Sequence, residues 1–131
     1  MTSSSPLRIF TLEYDAMTNS ISPHVRYLAP DNILKDLYRI LNCKLVTCTQ
    51  IDVNGKFFDV WSDDEALLKD KPAPNLYIDD DLIIFGSVAF AQSDDDGNLI
   101  GISRHDVHVL FDFSKTQFPK LLNFLKRRRN S

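Results

Sequence analysis

The 131-residue sequence predicts an α+β fold, a single domain with a mostly antiparallel sheet of about five or six strands, covered on one face by two or three helices. Three observations lead to this prediction. Apolar and polar residues alternate near the N-terminus, an Asn-Gly pair separates two apolar runs, and a long apolar run extends from Leu82 to Gln92. Because 44% of the residues are hydrophobic, the chain can form a core without a metal or a disulfide.

The run from Leu82 to Gln92 is the longest near-continuous apolar stretch, and aspartates lie at both of its ends. It is far shorter than the roughly 20 residues that a membrane-spanning helix needs. Its Ile, Phe and Val content favours a buried central strand. We therefore expect Phe85, Val88 and Phe90 to be buried and Gly86 to be closely approached by a neighbouring segment.

The N-terminal part predicts two strands. Residues 1–6 are small and polar and are expected to be disordered, so the domain itself is predicted over residues 7–125. The alternation in Leu7–Asp15 indicates a strand, and Val25–Leu28 is expected to form a short returning strand.

A helix is predicted after Pro30, with Asp31 as the residue that accepts a backbone N–H at its N-terminus. Asn42 is the expected end of this helix. An apolar stripe at helical spacing consists of Leu34, Leu37, Tyr38 and Leu41, widened by Ile33 and Ile40.

The pair Asn54-Gly55 predicts a tight hairpin between strands at 44–53 and 56–61, because both residues tolerate the positive φ of a type I′ turn. The sequence Ser62-Asp63-Asp64-Glu65 has the form of a capping box and predicts one or two helical turns. A loop containing Pro72 and Pro74 then leads to a strand at 76–78.

The C-terminal part begins with a turn at Asp95–Asn98 that leads into a strand at 99–102. Residues 104–113 are compatible with helix or strand, and Ser103 as N-cap with Asp106 three residues later favours helix. A separate closing helix is predicted near residues 118–125, with Pro119 in its first turn. Residues 126–131 are expected to form a basic C-terminal tail.

Charge is distributed unevenly along the chain. The segment 52–96 carries twelve acidic and three basic residues, whereas the segment 104–131 carries seven basic and two acidic residues. This asymmetry is typical either of two solvated surfaces or of an acidic partner-binding face beside a nucleic-acid-binding end. The candidate protein-binding residues are Asp63, Asp64, Asp79, Asp80, Asp81, Asp94, Asp95 and Asp96. The candidate nucleic-acid-binding residues are Lys126, Arg127, Arg128 and Arg129.

The sequence contains no strong motif for metal binding or for catalysis. His105, Asp106 and His108 offer too few ligands for zinc, and the acidic turn at 94–98 does not match a calcium loop. Neither Cys43 nor Cys48 is paired in sequence with a base. We therefore expect no metal, no cofactor, no disulfide and no enzymatic activity. The sequence shows no signal-peptide pattern, so the expected location is the cytoplasm, without a membrane partner.

The order of features over roughly residues 26–112 resembles a family of small domain-of-unknown-function proteins found in phages, plasmids and other mobile elements. The shared pieces are a helix ending near Asn42-Cys43, a strand leading to Asn54-Gly55-Lys56, the segment 64–68, the Pro72/Pro74-Asn75 loop, the segment 84–88 and Asp94–Gly97. The N-terminal strand and the basic C-terminal helix look like additions. The resemblance implies a mobile-element context and no catalytic residues.

These observations favour a non-catalytic accessory protein of a phage or plasmid that binds a host or viral macromolecule. A protein is the favoured partner, and inhibition of a host defence or replication component would be one such role. The alternative is a nucleic-acid-associated protein that uses the basic C-terminal helix. A homo-oligomer is compatible with either hypothesis.

Overall fold

The computed structural model describes residues 5–68, 74–79 and 82–129. They form a six-stranded antiparallel sheet, a separate two-stranded hairpin and two α-helices, which confirms the predicted α+β fold. The elements in chain order are β1 (Leu7–Asp15), β2 (Ser20–Leu28), α1 (Ile33–Leu41), β3 (Val46–Val53), β4 (Lys56–Asp63), a 3₁₀ turn (Ala66–Leu68), β5 (Pro74–Asp79), β6 (Leu82–Phe85), β7 (Val88–Ser93), β8 (Leu99–Ile100) and α2 (Arg104–Arg129).

The strand β7 lies at the centre of the large sheet. The strand order is β2-β1-β7-β4-β3, and β8 pairs with the end of β7. Phe90 of β7 lies opposite Phe10 of β1 on one side and Val60 of β4 on the other. Neighbouring strands place directly opposed residues on the same face of a sheet. These three buried side chains therefore lie side by side on one face.

The two helices cover opposite faces of the large sheet. On the α2 face, sheet residues such as Phe10, Val60 and Phe90 form one core cluster with Leu110 of α2 and with Leu76 and Ile84 of the β5–β6 hairpin. On the α1 face, Ile9, Ala89 and Ala91 pack with Leu37 and Leu41 of α1. The prediction that helices cover one face was wrong. The small side chains of Ala89 and Ala91 leave room for the second helix.

The central apolar run is divided between two sheets. Its first half forms β6, which pairs with β5, whereas its second half forms β7. Gly86 separates the halves and has a φ of 80°, a conformation that glycine adopts without the penalty of a Cβ atom. A Cβ at Gly86 would lie at ordinary contact distance from Ala66, so its backbone angle explains the glycine better than the expected close approach. Phe85 is only partly buried, contrary to our expectation.

Helix α1 begins one residue later than predicted. Asn32, not Asp31, is the N-cap, and its side chain makes no capping bond. The Asp36 carboxylate instead accepts a hydrogen bond from the Ala29 N–H at 2.8 Å. Leu34 is exposed, so the predicted stripe was wrong at this position, while Asn42 ends the helix in the left-handed conformation as expected.

Helix α2 is continuous from Arg104 to Arg129, so the two predicted C-terminal helices are one. Ser103 and Asp106 form the predicted cap, in which each backbone N–H donates to the other side chain. The sequence predicted a separate closing helix that began near Phe118. Ser114 and Thr116 instead donate their hydroxyls to carbonyls three residues earlier in the same helix, which satisfies them without a break.

The hairpin at Asn54-Gly55 is confirmed, and both residues have positive φ. The predicted capping box was wrong, because Ser62 is a buried residue of β4. The turn that follows is held by Asp63, whose carboxylate accepts a hydrogen bond from the Glu65 N–H. The disorder predicted for residues 1–6 falls mainly outside the described residues. Of the predicted loop, Pro72 also lies outside them, whereas Pro74 and Asn75 belong to β5, so the prediction of a loop was wrong at these two positions.

The position of Phe90 predicts a large effect on stability. Phe90→Ala should lower the free energy of unfolding by about 3–5 kcal/mol, because it opens a cavity between the sheet and α2. Phe57→Ala is the matched control, since Phe57 is 59% exposed on the neighbouring strand and its truncation should cost less than about 1 kcal/mol. Urea unfolding of both variants measures this, and equal losses would contradict the central position of β7.

Candidate functional site

The predicted acidic residues do not form one surface. Asp63 is buried, whereas Asp64 and the three aspartates at 94–96 are exposed. Because β4 and β7 are antiparallel, Asp64 lies at one end of the sheet and Asp94 at the other. The eight residues of β4 place these two positions on the order of 25 Å apart. The single acidic face that the sequence suggested is therefore divided.

Asp94 has a structural role in the β7–β8 turn. Its carboxylate accepts hydrogen bonds from the backbone N–H groups of Asp96 and Asn98. The bond from the Asn98 N–H makes the largest contribution to lowering the pKa of Asp94. This acidic residue is therefore explained by the turn that it closes.

The remaining predicted charges are only partly described. Asp79 ends β5, and its side chain, like Asp80 and Asp81, lies outside the described part of the structure. Lys126 is exposed in the last turns of α2, which continue to Arg129. The backbone of 127–129 is helical, and the side chains of these three arginines are not described.

A cleft between the β1–β2 hairpin and α1 is the candidate site that the structure adds. It has a volume of about 330 Å³. Its lining residues are Glu13, Arg26, Tyr27, Arg39 and Ile40. Two strands and one helix therefore supply its walls, and three of its residues are charged.

Glu13 lies at the centre of a polar network in this cleft. Arg26 donates two hydrogen bonds to its carboxylate, from Nε and Nη2, each at 2.7 Å. The buried Thr11 hydroxyl donates to Oε2 of Glu13 at 2.5 Å, and the His24 ring lies 4.0 Å from Oε1. The parallel pair of bonds from Arg26 is the strongest common arrangement between a guanidinium and a carboxylate.

This network keeps Glu13 ionised. Burial alone would raise the pKa of Glu13, but the hydrogen bonds from Arg26 and Thr11 and the nearby positive charge lower it overall. The same pair raises the pKa of Arg26, mainly through its hydrogen bond to Glu13. At neutral pH the pair is therefore a fixed salt bridge, and Glu13 is poorly suited to accept and release protons.

Arg39 forms the outer edge of the cleft. Its Nη2 atom lies 3.2 Å from the Asp36 carboxylate, one helical turn earlier in α1. The Arg39 side chain is 70% exposed, whereas that of Asp36 is largely buried. Surface pairs of this kind are weak, so the guanidinium can exchange Asp36 for a carboxylate on a partner at little cost.

A second ion pair lies at the start of α2. Lys56 donates a hydrogen bond to Oδ1 of Asp106 at 2.8 Å, and Asp106 also accepts one from the Ser103 N–H. Burial opposes ionisation of Asp106, but these bonds lower its pKa overall. Asp106 is therefore explained as the residue that joins α2 to the β3–β4 hairpin.

The residues that were considered for metal or nucleophilic chemistry are scattered. Neither Cys43 nor Cys48 is in a disulfide, and burial together with the Asp59 charge raises the pKa of Cys48 to about 11. Within the described residues, no three His, Cys, Asp or Glu side chains are grouped to hold a metal ion. In that same part of the chain, no helix is long and apolar enough to cross a membrane.

Sequence reasoning missed the cleft because its residues are distant along the chain. Glu13, Arg26 and Arg39 come from three different elements, and each alone looks like an ordinary surface charge. The sequence offered one signal, namely that Glu13 shares a face of the predicted strand with Ile9 and Thr11. That signal does not reveal the arginine partners.

Fold and cleft together define a small α+β domain with a polar, salt-bridged surface cleft. The family model described as "Domain of unknown function (DUF3846)" matches residues 16–115 of the chain. The chain therefore belongs to this family. No curated protein and no solved structure gave a match.

The Glu13 network predicts a pH-dependent contribution to stability. Because the folded-state pKa of Glu13 is lowered, its contribution is present above the unfolded-state pKa of about 4.3 and is lost as pH falls through the folded value. Glu13→Gln should therefore cost about 1–2 kcal/mol at pH 7 and much less in acid. Urea unfolding at both pH values tests this.

Asp112→Asn is the matched control for that experiment. Asp112 forms an exposed pair with Lys115 at 3.8 Å, so its loss should change stability by less than about 0.5 kcal/mol at either pH. A Glu13→Gln variant as stable as the wild type at pH 7 would contradict the role of the network.

Proposed function

We propose that the protein is a non-catalytic accessory protein of a phage or plasmid and that it acts by binding a partner protein. The observation that supports this proposal best is the composition of the cleft between β1–β2 and α1. Its carboxylate is committed to a salt bridge, and its exposed groups are of the kinds that protein interfaces use. Arg and Tyr are enriched among residues that dominate binding energy.

The mobile-element context rests on the order of features over residues 26–112. In that setting small accessory proteins act on host or viral proteins, and inhibition of a defence or replication component is the role that we favour. Binding is sufficient for such a role, since an inhibitor that occupies a functional surface needs no chemistry of its own.

The charged and apolar groups of the cleft predict which side chains a partner segment would carry. Arg39 is the exposed guanidinium at the edge, and its weak pair with Asp36 leaves it available to a carboxylate. Ile40, which lines the cleft beside it, supplies apolar contact area. We therefore infer a partner segment that combines an acidic side chain with an apolar one.

The exposed aspartates at 94–96 have a different role in this proposal. They lie in a turn at one end of the sheet, where they repel phosphate groups. They therefore disfavour nucleic acid near that end, and they influence the rate of encounter with a protein more than the affinity.

A second candidate function is association with nucleic acid through α2. Arg104, His108, Lys115 and Lys126 are exposed at intervals of four, seven and eleven residues, which places them along one flank of the helix. The Lys115 ammonium lies 4.5 Å from the centre of the Phe111 ring on the same flank. A basic helical flank of this kind binds phosphates without sequence specificity.

A pull-down from host lysate with the tagged protein, carried out with and without nuclease, tests the proposal. Arg39→Glu should lower the affinity for a captured protein at least about tenfold, because a like charge then faces the acidic partner. Lys35→Glu is the matched control, since it makes the same charge change at an exposed position of α1 outside the cleft lining. It should leave the affinity within about twofold.

The two candidate functions predict opposite results. Nuclease-resistant capture that depends on Arg39 and not on Lys126 supports protein binding through the cleft. Capture that is lost on nuclease treatment and with Lys126→Glu supports the nucleic-acid alternative. If neither variant changes capture, the cleft proposal is wrong.

A further inference from the structure

The two edges of the large sheet differ in how they are protected. Strands β2 and β3 are the outermost strands, so each has one row of backbone N–H and C=O groups that pairs with no other strand of the described residues. Such rows invite pairing with another chain unless proline or charged residues interrupt them. Strand β2 contains Pro23, which lacks an N–H group, and also His24 and Arg26.

Strand β3 contains no proline and only one charged residue, Asp52, at its end beside the hairpin turn. Its residues 46–51 are uncharged, contain no proline or glycine, and include the β-branched Val46, Thr47, Thr49 and Ile51. Four of the eight side chains of β3 are exposed, namely Thr47, Cys48, Gln50 and Asp52, and the preceding residue Leu45 is 51% exposed. A regular strand of eight residues with this composition is suited to accept a further strand.

The hairpin determines which backbone groups of β3 point outward. In a two-residue turn, the flanking pair Val53 and Lys56 exchange hydrogen bonds, so alternate residues from Val53 back to Leu45 face β4. The hydrogen bond from the Asp64 N–H to the Leu45 carbonyl, at 3.0 Å, agrees with this alternation. The outward groups therefore belong to Val46, Cys48, Gln50 and Asp52.

We propose that β3 pairs with β3 of a second copy of this chain, antiparallel and with Cys48 opposite Cys48 of that copy. Charge complementarity selects this occupant and register. It places Lys44 of each copy opposite Asp52 of the other, so that the two charged residues nearest the strand ends form two cross-copy pairs. Opposite charges across an antiparallel pair are favourable, and like charges are unfavourable.

The same register also brings apolar and β-branched residues together. Leu45 lies opposite Ile51 of the second copy, and Thr47 lies opposite Thr49. Threonine pairs and β-branched pairs are favourable neighbours across strands. The resulting dimer continues the large sheet through both copies and leaves the cleft at β1–β2, on the other edge, open to a different partner. The inference is therefore independent of the proposed function.

Sedimentation velocity over a wide range of protein concentration tests for the dimer. Gln50→Pro should raise the dimer dissociation constant at least about 100-fold, because it removes an outward N–H without removing a bond to β4. Gln50→Ala is the control and should retain the dimer. Circular dichroism of both variants shows whether each is folded.

A charge reversal provides a test that does not depend on proline. Lys44→Glu should weaken the dimer at least about fivefold, since two like-charged pairs then face each other. Combining it with Asp52→Lys should restore the dimer, because the reversed pairs attract again. If the Lys44→Glu variant dimerises as well as the wild type, the proposed register is wrong.

Oxidative cross-linking tests the register directly. In a Cys43→Ser background Cys48 is the only cysteine. Because the backbone groups of Cys48 point outward, the two copies of Cys48 would form a hydrogen-bonded pair, whose Cα atoms lie about 5.5 Å apart, within the range of a disulfide. A copper–phenanthroline catalyst with oxygen should therefore link two copies. The control carries Thr49→Cys with both native cysteines replaced by Ser, and it should remain unlinked.

The results of these experiments show whether a second copy of the chain or another protein pairs with the β3 edge. A concentration-dependent dimer that Gln50→Pro abolishes and that links through Cys48 supports the proposal. A monomer at every concentration overturns it, and so does a dimer unaffected by Gln50→Pro. Binding of an unrelated extended peptide at β3, with no dimer, would mean that this edge receives a strand from another protein, which also overturns the proposal.

Discussion

The side-chain amide of Asn75 joins the parts of this fold that chain order separates. It is buried, and its Nδ2 atom donates hydrogen bonds to the carbonyl of Leu12 at 3.0 Å and to that of Gly86 at 2.6 Å. These bonds connect β5, β1 and the point where the apolar run leaves one sheet and enters the other. The Ser87 hydroxyl adds a further link by accepting the Tyr14 N–H. A buried donor that serves two carbonyls specifies this arrangement because alternatives leave polar groups unpaired.

The N-terminal strand is an integral part of the domain, although the family match begins at residue 16, directly after it. Strand β1 lies between β2 and β7, and its residues enter both core clusters, Phe10 and Leu12 on the α2 face and Ile9 on the α1 face. Without β1, β7 would lose its pairing partner on that side, and Asn75 would lose the Leu12 carbonyl, one of its two acceptors. The β1–β2 cleft would also lose Glu13, so the proposed binding site depends on the same strand.

Local sequence signals predicted those elements whose causes are local. The hairpin at Asn54-Gly55, the cap formed by Ser103 and Asp106, and the helix end at Asn42 each follow from the chemistry of a few adjacent residues. The division of the apolar run at Gly86 and the cleft around Glu13 depend on partners distant in sequence, Asn75 in one case and Arg26 and Arg39 in the other. Apolar periodicity contains no information about such partners.

The most direct test of this account is the stability of Asn75→Asp. The substitution keeps the shape of the side chain but replaces the donor by a carboxylate facing two carbonyl oxygens. At pH 7 it should lower the free energy of unfolding by more than about 2 kcal/mol, with partial recovery in acid as the carboxyl protonates. Asn19→Asp is the control, because Asn19 lies in an exposed turn and accepts the Tyr14 hydroxyl. An Asn75→Asp variant as stable as the wild type at pH 7 would contradict the account.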